Sequence, residues 1–138
     1  MMILEEIIAE RLHELGLGIY DENGADGNIY LVQLPDESGN KSDEIIISIL
    51  TSGSNIREPK YNGGVIKPIS NIYVRGKNLV KVAQKAFEIS NKLSEDSYEK
   101  NDFKIIQTFI SAEPILLRID EKGFYLYSMR ISQNIKFK

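Results

Sequence analysis

The sequence predicts an α+β fold, a mostly antiparallel sheet with two helices packed on one face and a long loop within the sheet. Three observations carry this reading. Leu4, Ile7, Ile8, Leu12 and Leu15 recur at helical spacing near the start. Leu79, Val82, Ala83, Ala86, Ile89 and Leu93 repeat that spacing in the middle. The remaining apolar runs are short, rich in isoleucine and aromatic residues, and bounded by turn residues. Helix, two or three strands, long loop, strand, helix and three strands is the order of an α+β domain.

The first helix carries Glu5, Glu6, Glu10 and Glu14 mostly on its polar side, and acidic residues in a first turn suit the helix dipole. Gly16 and Gly18 stop it, since glycine accepts the left-handed conformation that ends helices. His13, the only histidine, falls on the polar side and reads as a solvated surface residue. Residues 21–28 hold the turn dipeptides Asn23-Gly24 and Asp26-Gly27. Asp21, Asn23 and Asp26 invite comparison with a calcium loop, but that register needs glycine sixth and glutamate twelfth. Counting from Asp21, Asp26 and Val32 stand there, so the pattern fails.

Tyr30 to Leu34 reads as a strand ended by Pro35. After the polar turn 36–43, Glu44 to Leu50 is the clearest strand, central in the sheet. Thr51 to Lys67 is the long loop, with Gly53, Pro59, Gly63 and Gly64 around Arg57, Lys60 and Tyr61. Loops of this length in a compact domain are uncommon and tend to be functional or disordered. Ile69 to Arg75 is the next strand, Gly76-Lys77 follows, and Asn78 is suited to cap the second helix. Ser94 to Asp102 reads as a polar connection. Phe103 to Ile110, Ile115 to Ile119 and Phe124 to Ile131 read as three strands, with Asp120 to Gly123 turning between the last two. Ser132 to Lys138 is an extended tail. No repeat or linker divides the chain, so residues 1–138 read as one domain.

The chain has 138 residues, enough to bury a core without disulfides or metal. It has no cysteine, which excludes thiolate catalysis, disulfide chemistry and cysteine-ligated zinc. The start Met1-Met2-Ile3-Leu4-Glu5-Glu6 is acidic where a signal peptide is basic. The longest strongly apolar run, Ile45 to Leu50, is far shorter than the roughly 20 residues that cross a bilayer. The expectation is a protein made in a cytoplasm, with no membrane partner. Net charge is −3 but unevenly divided. Residues 1–50 hold eleven acidic and two basic residues, −9, and residues 51–138 hold nine and fifteen, +6. With no dense basic cluster, self-association through complementary faces is favoured over nucleic-acid binding.

The strand end Ile72-Tyr73-Val74-Arg75-Gly76, the helix start Leu79-Val80-Lys81-Val82-Ala83-Gln84-Lys85-Ala86 and the late turn and strand Asp120-Glu121-Lys122-Gly123-Phe124-Tyr125-Leu126-Tyr127-Ser128 together resemble one family. It is that of the tail terminator and minor capsid, or tail completion, proteins of long-tailed bacteriophages. The likeness covers nearly the whole chain in element order. Phe124 stands where many members carry arginine. The resemblance implies a structural virion protein at the head-proximal end of the tail, assembled in a bacterial cytoplasm. It implies a ring, usually of six subunits, that caps the tail tube, stops its growth and offers a surface to a head-completion protein. DNA would pass through without sequence-specific binding. It implies no catalytic residue and no cofactor or metal. The residues placed for interaction are Arg57, Lys60, Tyr61 and Lys67 in the long loop, Arg75 at the strand end, as a sheet-edge ion pair or an inter-subunit contact, and Asp120 and Glu121 in the late turn.

Two other readings compete. One is a head-completion or neck adaptor protein. The other is a small enzyme, for which paired carboxylates occur at Asp36-Glu37, Asp43-Glu44 and Asp120-Glu121. Adjacent carboxylates at turns point apart, whereas acid–base catalysis needs them to converge. No nucleophilic triad or phosphate loop is present.

Overall fold

The computed structural model describes residues 4–21, 27–32, 45–52, 65–100 and 102–137, and these form two helices and seven strands. The first helix, α1 (Leu4–Glu14), buries Leu4, Ile7, Ile8, Ala9 and Leu12, the stripe that helical spacing predicts. Its end is built as glycine allows. Gly16 has φ 76°, the Gly16 amide donates to the His13 carbonyl at 3.0 Å, and the Leu17 amide donates to the Leu12 carbonyl at 2.9 Å. Leu17 then packs in the same core as Leu12, completing a Schellman-type stop. Glu5 departs from expectation: it is buried within the first turn.

The sheet runs β1 (Ile29–Leu31), β2 (Ile46–Ser52), β4 (Ile69–Gly76), β7 (Tyr125–Phe137), β6 (Phe103–Ile119), β5 (Tyr98–Lys100). A two-residue strand, β3 (Val65–Ile66), pairs with β7 beyond the end of β4. Neighbours are antiparallel except β1 and β2, which are parallel. Side chains alternate across the pleat. Ile47, Ile49, Ile72, Val74, Met129 and Ile131 therefore share the face that the helices cover. The sheet curls around α1. Ile8, Ala9 and Leu12 pack in one core with Ile29, Ile47 and Ile49, while Leu4 and Ile7 meet Phe103, Ile105 and Ile135 in a second.

The second helix, α2 (Leu79–Leu93), is capped by Asn78, whose side-chain oxygen accepts from the Lys81 amide at 3.1 Å. Val82, Ala86, Ile89 and Leu93 are buried on the sheet. The approach at its start is tight: a Cβ on Gly76 would lie 2.8 Å from Val82 Cγ2.

Several boundaries differ from the sequence reading. The first strand ends at Leu31 because Val32 adopts φ 70°, before Pro35 is reached. Thr51 and Ser52 belong to β2 and Val65 and Ile66 to β3, so these four residues of the expected Thr51–Lys67 loop are strand, and residues 53–64 lie outside the described residues. The connection after α2 contains β5, which turns straight into β6. Phe103–Ile110 and Ile115–Ile119 are one strand of 17 residues. Pro114 does not break it, because register shifts on either side absorb the residue on an edge strand. The tail is ordered as the end of β7 through Phe137.

Candidate functional site

A pocket lies where α1 meets β5, lined by Glu10, His13, Glu14, Tyr20 and Lys100. Its groups are committed to holding the fold together. Lys100 Nζ sits 3.4 Å from Glu10 Oε2 and 3.5 Å from Glu14 Oε2. His13 Nδ1 accepts from the Tyr20 amide at 3.0 Å, so the histidine tethers the chain after α1 besides facing solvent. The Tyr20 hydroxyl donates to Glu6 Oε2 at 3.0 Å. Two carboxylates sharing one ammonium are not differentiated into an acid and a base. Among the described residues no cluster of His, Asp and Glu could hold a metal ion.

The residues that sequence reasoning singled out are not gathered in one place. Arg57, Lys60 and Tyr61 lie outside the described residues. Lys67 is exposed between β3 and β4, at the opposite end of β4 from Arg75. Arg75 is not at a sheet edge, since β4 pairs with β2 on one side and β7 on the other. Nor does it form an ion pair with any described residue; its guanidinium carbon lies 5.2 Å from the Phe124 ring centroid instead. Asp120 is spent on its own turn: Oδ1 accepts from the Lys122 and Phe124 amides, both at 2.9 Å. Gly123 closes that turn at φ 83°, and Glu121 is exposed beside it. The turn and Arg75 thus meet through Phe124.

The surface that sequence reasoning missed is the outer half of β6. Among the described residues no strand flanks β6 beyond Ile105 on its outer side. Ile115, Leu116, Leu117 and Ile119 are exposed there, Ile115 at 60%. On α2, Val80, Ala83, Phe87 and Ser90 form a stripe at helical spacing, and Ser90 Oγ donates to Glu113 of β6 at 3.3 Å. That bond turns the stripe toward β6, so exposed Val80 and Phe87 lie on the same face as Leu116 and Ile119, while Ile115 stands on the other face of the strand. Large apolar patches on a soluble chain mark interaction surfaces. Pro114 and the register shifts keep the backbone edge from offering a regular ladder, so side chains dominate what this surface can bind.

A family model described as bacteriophage tail terminator protein matches residues 11–137. The chain belongs to the bacteriophage tail terminator family. No curated protein sequence matches it. Tail terminators are structural components of the virion tail, and membership points to a protein that works through its surfaces rather than by catalysis. The matched span begins inside α1 and runs to the end of β7, so it takes in the whole sheet, the α1–β5 contact and the exposed half of β6.

Proposed function

We propose that this tail terminator assembles into a ring, most simply a hexamer, that caps the tail tube at its head-proximal end. The ring stops tube growth and offers its other face to a head-completion protein, while DNA passes through without sequence-specific contacts. The observation that carries this reading is the family match across residues 11–137. The apolar side formed by outer β6 and the α2 flank supports it, because a ring subunit must bury surface against its neighbours. The need for such a cap is geometric. A tube ring presents the surface that the next ring binds, and a heterologous contact of that kind does not end by itself. A terminator fits that surface below and presents a different one above.

Deleting the gene and measuring tails in electron micrographs tests the proposal. The expected result is overlong tubes that do not join filled heads. Tails of normal length that fail to join heads would move the role to the neck, and normal tails on normal heads would end the proposal.

A further inference from the structure

At the end of the sheet next to the Asp120–Gly123 turn, the fold buries an arginine whose Nε has no hydrogen-bond partner among the described residues. Cross-strand register places Arg75 in one row with Ile46, Leu126 and Arg118 on the face turned away from both helices. Arg75 is only 6% exposed, and its Nε is buried with no hydrogen-bond acceptor. Lys77 Nζ lies over the same Phe124 ring as Arg75, also at 5.2 Å from the centroid. Neither Arg75, Lys77 nor Arg118 has a carboxylate partner among the described residues.

A guanidinium cannot escape burial by losing its proton, so a buried arginine ordinarily sits against a carboxylate. The Phe124 face attracts it but accepts none of its N–H bonds. Ile46 and Leu126 beside it are themselves buried, which lowers the local dielectric and strengthens any charge pair formed there. In the next row on the same face stand Ser48, half-buried Tyr73 and Ser128, and exposed Ile115.

We infer that Arg75 with Lys77 is a receptor for a carboxylate side chain of a second copy of this chain. The inference rests on the ring proposed above, whose neighbours this contact joins. Two observations choose the occupant. Arg75 is almost wholly buried and only Lys77 and Arg118 are exposed cations near it, too few for a duplex phosphate backbone, which needs several. The charge division supplies the complement: the receptor lies in the half of the chain carrying +6, and the surplus of carboxylates lies in residues 1–50, at −9. The described carboxylates of that half stand on α1 and at Asp21, away from the face that carries Arg75, so receptor and complement are different patches and the contact is head-to-tail, the kind that closes a ring.

The test compares the wild-type chain with Arg75→Met and with Lys77→Gln, the second at an exposed position that leaves folding alone. As a dilute monomer, Arg75→Met is expected to unfold at the wild-type temperature or above it, because the substitution removes an unsatisfied buried group. In sedimentation across concentration, its assembly midpoint is expected about tenfold or more higher, with Lys77→Gln shifted less in the same direction. Wild-type assembly weakens with salt, and Arg75→Met loses most of that dependence. A clear fall in the unfolding temperature of Arg75→Met would make the residue structural and overturn the inference. So would assembly of both variants at the wild-type concentration, or duplex DNA binding by the wild-type monomer that Arg75→Met abolishes. A wild-type chain that stays monomeric at every concentration, alone and with tube protein, sinks the ring and this contact together. A wild-type ring with indifferent variants sinks only the contact.

Discussion

Arg11 and Asp96 meet side-on across 85 positions of sequence, Nε to Oδ2 at 2.8 Å and a terminal nitrogen to Oδ1 at 2.8 Å. The same guanidinium lies 4.6 Å from the Tyr98 ring centroid, so one side chain ties α1 both to the end of α2 and to β5. Hydrogen bonding to Asp96 raises the Arg11 pKa. Asp96→Ala is expected to cost about 1–3 kcal/mol in urea unfolding, since it removes both short bonds to a partly buried guanidinium and leaves it only Glu14, at 3.8 Å. Arg11→Lys recovers only part of what Arg11→Ala loses, because an ammonium cannot present two parallel donors.

Tyr98 gives a stability limit in base. Burial is the main cause that raises its phenol pKa, well above the ordinary value, although the bond from Gln133 Nε2 at 3.1 Å opposes the rise. The folded chain therefore holds this proton where the unfolded chain releases it. The contribution is complete below the unfolded value of about 10 and is lost as pH rises from there toward the folded value. Unfolding free energy is expected to fall between about pH 10 and 11. Tyr98→Phe, compared by urea titration at both ends of that window, is expected to flatten the fall.

Gly76→Ala tests the approach of α2 to the sheet. The added methyl would stand 2.8 Å from Val82 Cγ2, on a branched side chain held in a helix, and 3.5 Å from Ile45 Cγ1. Overpacking of this kind costs about 1–3 kcal/mol, to be read as a lowered midpoint of thermal unfolding. An unchanged midpoint would show that the helix start shifts at no cost.

The outer half of β6 separates assembly from stability. Ile115→Asp and Leu117→Asp change exposed side chains and are expected to leave unfolding within about 0.5 kcal/mol of wild type. Both are expected to move the mass distribution toward monomer at concentrations where the wild-type chain assembles. Assembly at wild-type concentrations would remove this surface from the ring contact.

Both helices were legible because their apolar residues recur at one period and their ends carry Asn78 and Gly16, which have a specific backbone task. The strand edges were less so. Pro114 looks like a break in one dimension, and only the pairing of β6 with β7 shows that bulges carry the strand past it. Tyr98–Lys100 is too short and too polar to announce β5. Arg75 was noticed by its motif, but its burial depends on β2 and β7 arriving on either side of β4, which no local pattern encodes. The exposed leucines and isoleucines of outer β6 read only as a strand for the same reason: apolar character states a preference for burial, not whether this chain or another supplies the cover.

The position of β7 has a consequence for biosynthesis. It is the last strand in the sequence and lies between β4 and β6, which do not pair with each other. A nascent chain therefore holds two unjoined half-sheets, β1–β2–β4 and β6–β5, until β7 emerges from the ribosome. At roughly 5–20 residues per second, the earlier strands wait for seconds with open inner edges. A subunit cut short in translation cannot close its sheet, and so cannot offer a neighbour the face on which Arg75 and Leu126 stand side by side.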